Sequence, residues 1–136
     1  MKKVSIILIM CLLMSFGMSV IASANEYTVE PRYNNSNSIS YNFCISDDNA
    51  IATVDVSGFN SVTTRITVNV KLQKRALLGL WWNDVEEWNA TTTDYSHSFE
   101  FVEPVGNGTY RCSFEITVEG NGGSADVITD EITVKN

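Results

Sequence analysis

The chain has 136 residues, nine Lys plus Arg against sixteen Asp plus Glu, and a formal net charge of −7. That length fits one ordinary domain, and an apolar share of 44% with 18% charged excludes a disordered or collagen-like chain. The acidic balance also counts against nucleic acid as a partner, because neutralising phosphates takes clustered Lys or Arg.

Lys2 and Lys3 precede an apolar run from Val4 to Ile21, and Ala22-Ser23-Ala24 has the small-x-small pattern that signal peptidase needs. Residues 1–24 therefore read as a secretory signal peptide. The rival reading, a single membrane anchor, is opposed by polar Asn25-Glu26 directly after the tripeptide and by the lack of a basic stop-transfer cluster. Residues 25–38 carry Asn34-Asn35-Ser36-Asn37 after Pro31 and read as a flexible lead-in, which leaves 39–136 as the domain proper.

From Ile39 onward apolar residues recur at every second position and turn formers interrupt the runs, as expected of strands with one buried and one wet face. The first run alternates Ile39, Tyr41, Phe43 and Ile45 and stops at Asp47-Asp48-Asn49. The second spans Ala50 to Val56 and stops at Ser57-Gly58. In the third, Val62, Thr64, Ile66, Val68, Val70 and Leu72 share one parity, and Arg65, Thr67, Asn69, Lys71 and Gln73 the other. A fourth, irregular segment carries Trp81, Trp82 and Trp88. The fifth alternates Tyr95, His97, Phe99 and Phe101 before Pro104 and Gly106-Asn107-Gly108. The sixth runs from Thr109 to Val118, and after Gly120-Asn121-Gly122-Gly123 the seventh covers Asp126 to Val134. No stretch has sustained apolar spacing of three and four, and β-branched residues dominate, so helix should be nearly absent. The pattern predicts an all-β, seven-stranded antiparallel sandwich of the immunoglobulin-like or fibronectin III-like kind, with a small barrel as the alternative.

Export would place Cys44 and Cys112 in an oxidising space, where two thiols of a small domain usually pair. A bridge between them would close a loop of roughly 70 residues, for which chain entropy gives at most about 4 kcal/mol. Parity sets a condition. Cys112 falls with Tyr110, Phe114, Ile116 and Val118, whereas Cys44 falls with Ser40, Asn42 and Ser46, so pairing needs a bulge or edge position near Cys44. Free thiols or a link to another chain are the alternatives.

Gly108-Thr109-Tyr110-Arg111-Cys112 resembles the tyrosine corner of immunoglobulin-like domains, in which a Tyr two residues before a Cys turns its hydroxyl onto an upstream backbone group. A wider resemblance is carried by Ala52, Leu72-Gln73-Lys74, Trp82, Val85 and Trp88, Gly108-Thr109-Tyr110-Arg111 and Glu131-Ile132-Thr133. In their order and spacing these are similar to the small exported Ig-like proteins of clostridial and related gut Gram-positive bacteria. The resemblance implies a sandwich fold and export, and it implies no catalytic residue.

Little in the chain points to chemistry. His97 is the lone histidine and reads as a half-buried strand residue. With two further Cys and no spaced cluster, no metal site and no cofactor are expected. Asp47-Asp48 and Asp84, Glu86 and Glu87 follow no calcium-loop pattern and read as solvated acids. Trp82 and Trp88 are assigned to packing. Trp81 is extra, and Arg75-Ala76-Leu77-Leu78-Gly79-Leu80-Trp81 puts apolar density in a connection where similar proteins carry small and polar residues. Connections run over the surface, so Leu77, Leu78, Leu80 and Trp81 are predicted to form an exposed loop tip and the binding residues. Folding back over one end of the sandwich is the competing outcome. The expected function is a secreted, non-enzymatic recognition or adhesion module for a protein or glycan at a surface, with no nucleic acid and with membrane contact as a minor route. The alternatives are a glycan-active hydrolase using the acids of Asp84 to Glu87 with Asp94, and an antimicrobial or toxin-like factor meeting membranes through the same loop.

Overall fold

The alternation of apolar and polar side chains resolves into seven strands: β1 (Ser36–Ser46), β2 (Asn49–Gly58), β3 (Thr63–Arg75), β4 (Trp82–Thr92), β5 (Ser96–Pro104), β6 (Thr109–Gly120) and β7 (Asp126–Lys135). The structure, a computed structural model, describes residues 32–136. The expected signal peptide and the first half of the expected lead-in lie outside the described residues. Among the described residues there is no helix.

The strands form two sheets, β1-β2-β5 and β4-β3-β6-β7, with every neighbouring pair antiparallel. They remain separate layers, so the architecture is a β-sandwich and not the alternative barrel. Its core is made by the inward residues of β2, β3 and β6. Val54, Ile66, Val68, Leu72, Ile116 and Val118 are fully buried, each worth about 1.5–3 kcal/mol by transfer from water. Aromatic contacts tie the layers on both flanks. Tyr41 of β1 lies 5.1 Å from Phe114 of β6, and Trp88 of β4 stacks at 5.5 Å on Phe101 of β5.

Four local features depart from the expected pattern. The first concerns the lead-in, whose last residues are fixed. β1 starts at Ser36, and Asn35 and Ser36 are buried because Asp126 accepts the amides of Asn34 and Asn35 and the Ser36 hydroxyl. The second is a register shift between Thr63 and Arg65 that turns Thr63 inward and Thr64 outward, against the parity of the third run. Thr63 then accepts the Phe59 amide and donates to the Asn35 carbonyl. The third is that β4 is a regular eleven-residue strand with one extra residue. Leu72 pairs with Glu86 and Gln73 with Asp84, so Val85 is bulged out.

The fourth is the disulfide. Cys44 and Cys112 are free thiols, correcting the expected bridge. β1 runs without irregularity through Cys44↔Ile51, so Cys44 stays on the exposed face of its sheet, while Cys112 points into the core from the opposite layer. The condition set by parity is not met. Burial raises the Cys112 thiol pKa to about 12, which keeps it protonated and unreactive.

Turn chemistry matches the sequence where it is tightest. Ser46 pairs with Asn49 across Asp47-Asp48, both at positive φ, as a two-residue hairpin turn of the right twist demands.

Candidate functional site

The β3 and β4 strands are joined by residues 76–81, and the hairpin is closed at its base. Arg75 pairs with Trp82, the Ala76 amide donates to the Trp81 carbonyl at 2.9 Å, and the Gly79 amide donates to the Ala76 carbonyl at 2.8 Å. Gly79 sits at φ +67°, the left-handed region that lets the chain turn back within so short a loop. Ala76 is buried at the foot of the loop, and the next residues project outward. Relative exposure is 103% for Leu77, 73% for Leu78, 75% for Leu80 and 54% for Trp81. These side chains do not fold back over the sandwich. They form an apolar tip on a pinned hairpin.

Beside the tip lies an open recess lined by Lys74, Arg75, Leu77 and Leu78 on one side and Asn107, Gly108 and Thr109 of the β5–β6 connection on the other. Its two cations rest on aromatic faces. The Lys74 ammonium stands 5.7 Å from the Tyr110 ring, and the Arg75 guanidinium stands 5.5 Å from the Trp82 ring. Among the described residues neither belongs to an ion pair. The sequence reading missed this pair of bases. The signal was present, since Lys74-Arg75 directly precedes the apolar run.

Trp88 packs as expected, but Trp82 does not. The Val85 bulge moves Trp82 to the outer face, where it pairs with Arg75 and lies 4.5 Å from the Arg111 guanidinium. Arg111 donates to Gln73, and Gln73 donates to Asp84 at 2.8 Å. Tyr110 is buried and donates its hydroxyl to the Gly106 carbonyl at 2.9 Å, the geometry expected of a tyrosine corner. That bond fixes the β5–β6 connection that forms the far wall of the recess.

The other flagged residues are scattered. His97 is exposed rather than half-buried, and its Nδ1 stands 3.5 Å from an Asp94 carboxylate oxygen. Asp84 lies near the start of β4 and Asp94 two residues beyond its end, with roughly 26 Å of strand between Asp84 and Thr92 at ~3.3 Å per residue, so the fold does not bring that acid pair together. Among the described residues no group of three or more His, Cys, Asp or Glu could hold a metal ion, and no helix is long and apolar enough to cross a membrane. A second concavity, on the outer face of the β4-β3-β6-β7 sheet, mixes Lys71 with Glu87, Glu115 and Glu131. On the flank away from the recess, Tyr41 donates to Asp130 at 2.6 Å, and this bond, with burial, raises the Tyr41 pKa to about 12.

No family model and no curated protein matches the chain. The crystal structure of Spo0M, the sporulation control protein of Bacillus subtilis, is similar at a TM-score of 0.34 and 13% identity. The match covers 74% of this chain and 50% of that one, so the chain spans half the length of the protein it matches. A likeness of that extent assigns neither a family nor an activity.

Proposed function

We propose that the protein is a secreted, non-enzymatic recognition module that makes contact through Leu77, Leu78, Leu80 and Trp81. The observation that carries the reading is the exposure of these four apolar side chains at one loop tip. Apolar side chains clustered this way on a soluble domain mark contact sites. A hairpin already closed by backbone hydrogen bonds gives up little conformational freedom on binding, so its buried apolar area converts into affinity with a small ordering cost.

The finer fold class belongs to the same proposal. β4 adds to the β3 edge and not to β5, which sets the sandwich apart from the immunoglobulin constant arrangement and agrees with the fibronectin III-like reading. The Tyr110 hydroxyl bond supports it. Export rests on residues 1–24, whose charge and apolar pattern fit a signal peptide.

The test is the double variant Leu78→Ser/Trp81→Ser. Because both side chains face water, the melting temperature should stay within about 2–3 °C of the parent. Retention on intact cell surfaces, which present protein, glycan and lipid together, should fall at least about ten-fold, as expected when two anchors are removed. Unchanged retention would remove the tip from the function.

A further inference from the structure

We propose that the surface received by the β3–β4 tip is an anionic lipid bilayer, an inference that rests on the contact reading above and narrows it to one partner. The charge at the foot of the tip argues for it. On a chain of sixteen acids and nine bases, the recess beside the loop holds Lys74 and Arg75 and no carboxylate. The other concavity holds Lys71 among acids, so a cation-only recess is not a general property of this surface. Both bases stand on aromatic rings with no carboxylate partner among the described residues. A lipid phosphate beside the tip would meet two donors that need not break an ion pair first.

Shape argues for the same partner. Leu77 is fully exposed, and Leu78 and Leu80 nearly so, on a convex hairpin. A folded partner would have to supply a matching hollow, whereas a fluid acyl layer closes around any apolar protrusion. Trp81 lies at the base of the tip, the level at which an indole meets headgroups while the leucines enter the acyl boundary. Within the loop the Ala76 and Gly79 amides are already paired, with the Trp81 and Ala76 carbonyls, so insertion leaves fewer amides without partners than an open loop would. The chain's overall negative charge acts against approach. The acid that the register places beside Arg75 on the same face, Asp84, accepts from Gln73 at 2.8 Å, and charges more than about 8 Å from the surface are largely screened at physiological salt, so the two bases at the foot of the tip set the local field.

The test is flotation of residues 25–136, the chain left after cleavage of the expected signal peptide, with phosphatidylcholine vesicles and with mixed phosphatidylcholine–phosphatidylglycerol vesicles, in low and high salt. The apolar run from Val4 to Ile21 is left off because it would hold every variant on the vesicles by itself. The parent should float with the mixed vesicles and detach with salt. Leu77→Ser/Leu78→Ser should lower the bound fraction at least about ten-fold on both vesicles. Lys74→Gln/Arg75→Gln should lose about thirty-fold on mixed vesicles and bind both kinds equally. Parent and variants floating alike overturn the inference. If they do, and Leu78→Ser/Trp81→Ser still loses a protein or glycan partner at an unchanged melting temperature, the contact reading stands with a different partner. A fall of about ten degrees in the tip variants would place these residues in the core and overturn both.

Discussion

One carboxylate, that of Asp126, accepts the backbone amides of Asn34 and Asn35 and the hydroxyl of Ser36, while the Asn35 side chain donates to the Val118 and Ser124 carbonyls. The start of β1 is thereby sewn to the β6–β7 turn. Gly122 is required there, since a Cβ would collide with the Asn34 carbonyl. Asp126→Ala leaves these donors unanswered, Asn35 among them buried, and should cost about 2–4 kcal/mol, read as a lower urea midpoint. The Tyr41–Asp130 bond behaves differently because it depends on pH. Its folded pKa of about 12 lies above the usual 10.0, so the neutral phenol is the form that folding favours. The stabilisation is complete below pH 10 and is lost as pH rises toward 12. The gap in stability between the parent and Tyr41→Phe should therefore be constant at neutral pH and close in that alkaline window. A gap that widens there would contradict the assignment.

At the scale of elements, β3 from Ile66 to Leu72 and β6 from Tyr110 to Val118 could be read from the chain because their inward residues alternate there and both faces of each strand are chemically distinct. β4 could not. Trp82 and Trp88 share parity, which points both inward, and only the register against β3 reveals that Val85 is extra and that Trp82 faces out. The Asn-rich stretch was opaque for another reason. Asn34, Asn35 and Ser36 have the composition of a loop, and their order comes from a partner about ninety positions away. The exposed tip was legible as a surplus of Leu and Trp in a connection, but the two bases beside it gained meaning only once Asn107 to Thr109 closed the recess. Strand parity also governs the thiols. Alkylation of the native protein followed by mass mapping should modify Cys44, while Cys112 should react only after unfolding. Resistance of both to alkylation without reductant would restore the disulfide.

Taken as a whole molecule, the sandwich separates its tasks by position. The buried faces of two sheets supply stability, the flanks are held by aromatic contacts and the Tyr41–Asp130 bond, and one end presents the β3–β4 tip beside the Lys74–Arg75 recess. Because the tip contributes no packing, it is free to carry residues that a core or a soluble surface would exclude. The most direct measurement of this claim is the tryptophan emission lost on Trp81→Phe substitution, followed with an aqueous quencher. An exposed Trp81 requires that lost component to be water-like in wavelength and strongly quenched, while the remaining emission from Trp82 and Trp88 is quenched less. A lost component that is blue-shifted and shielded from the quencher would mean that the loop packs against the domain, contradicting the account.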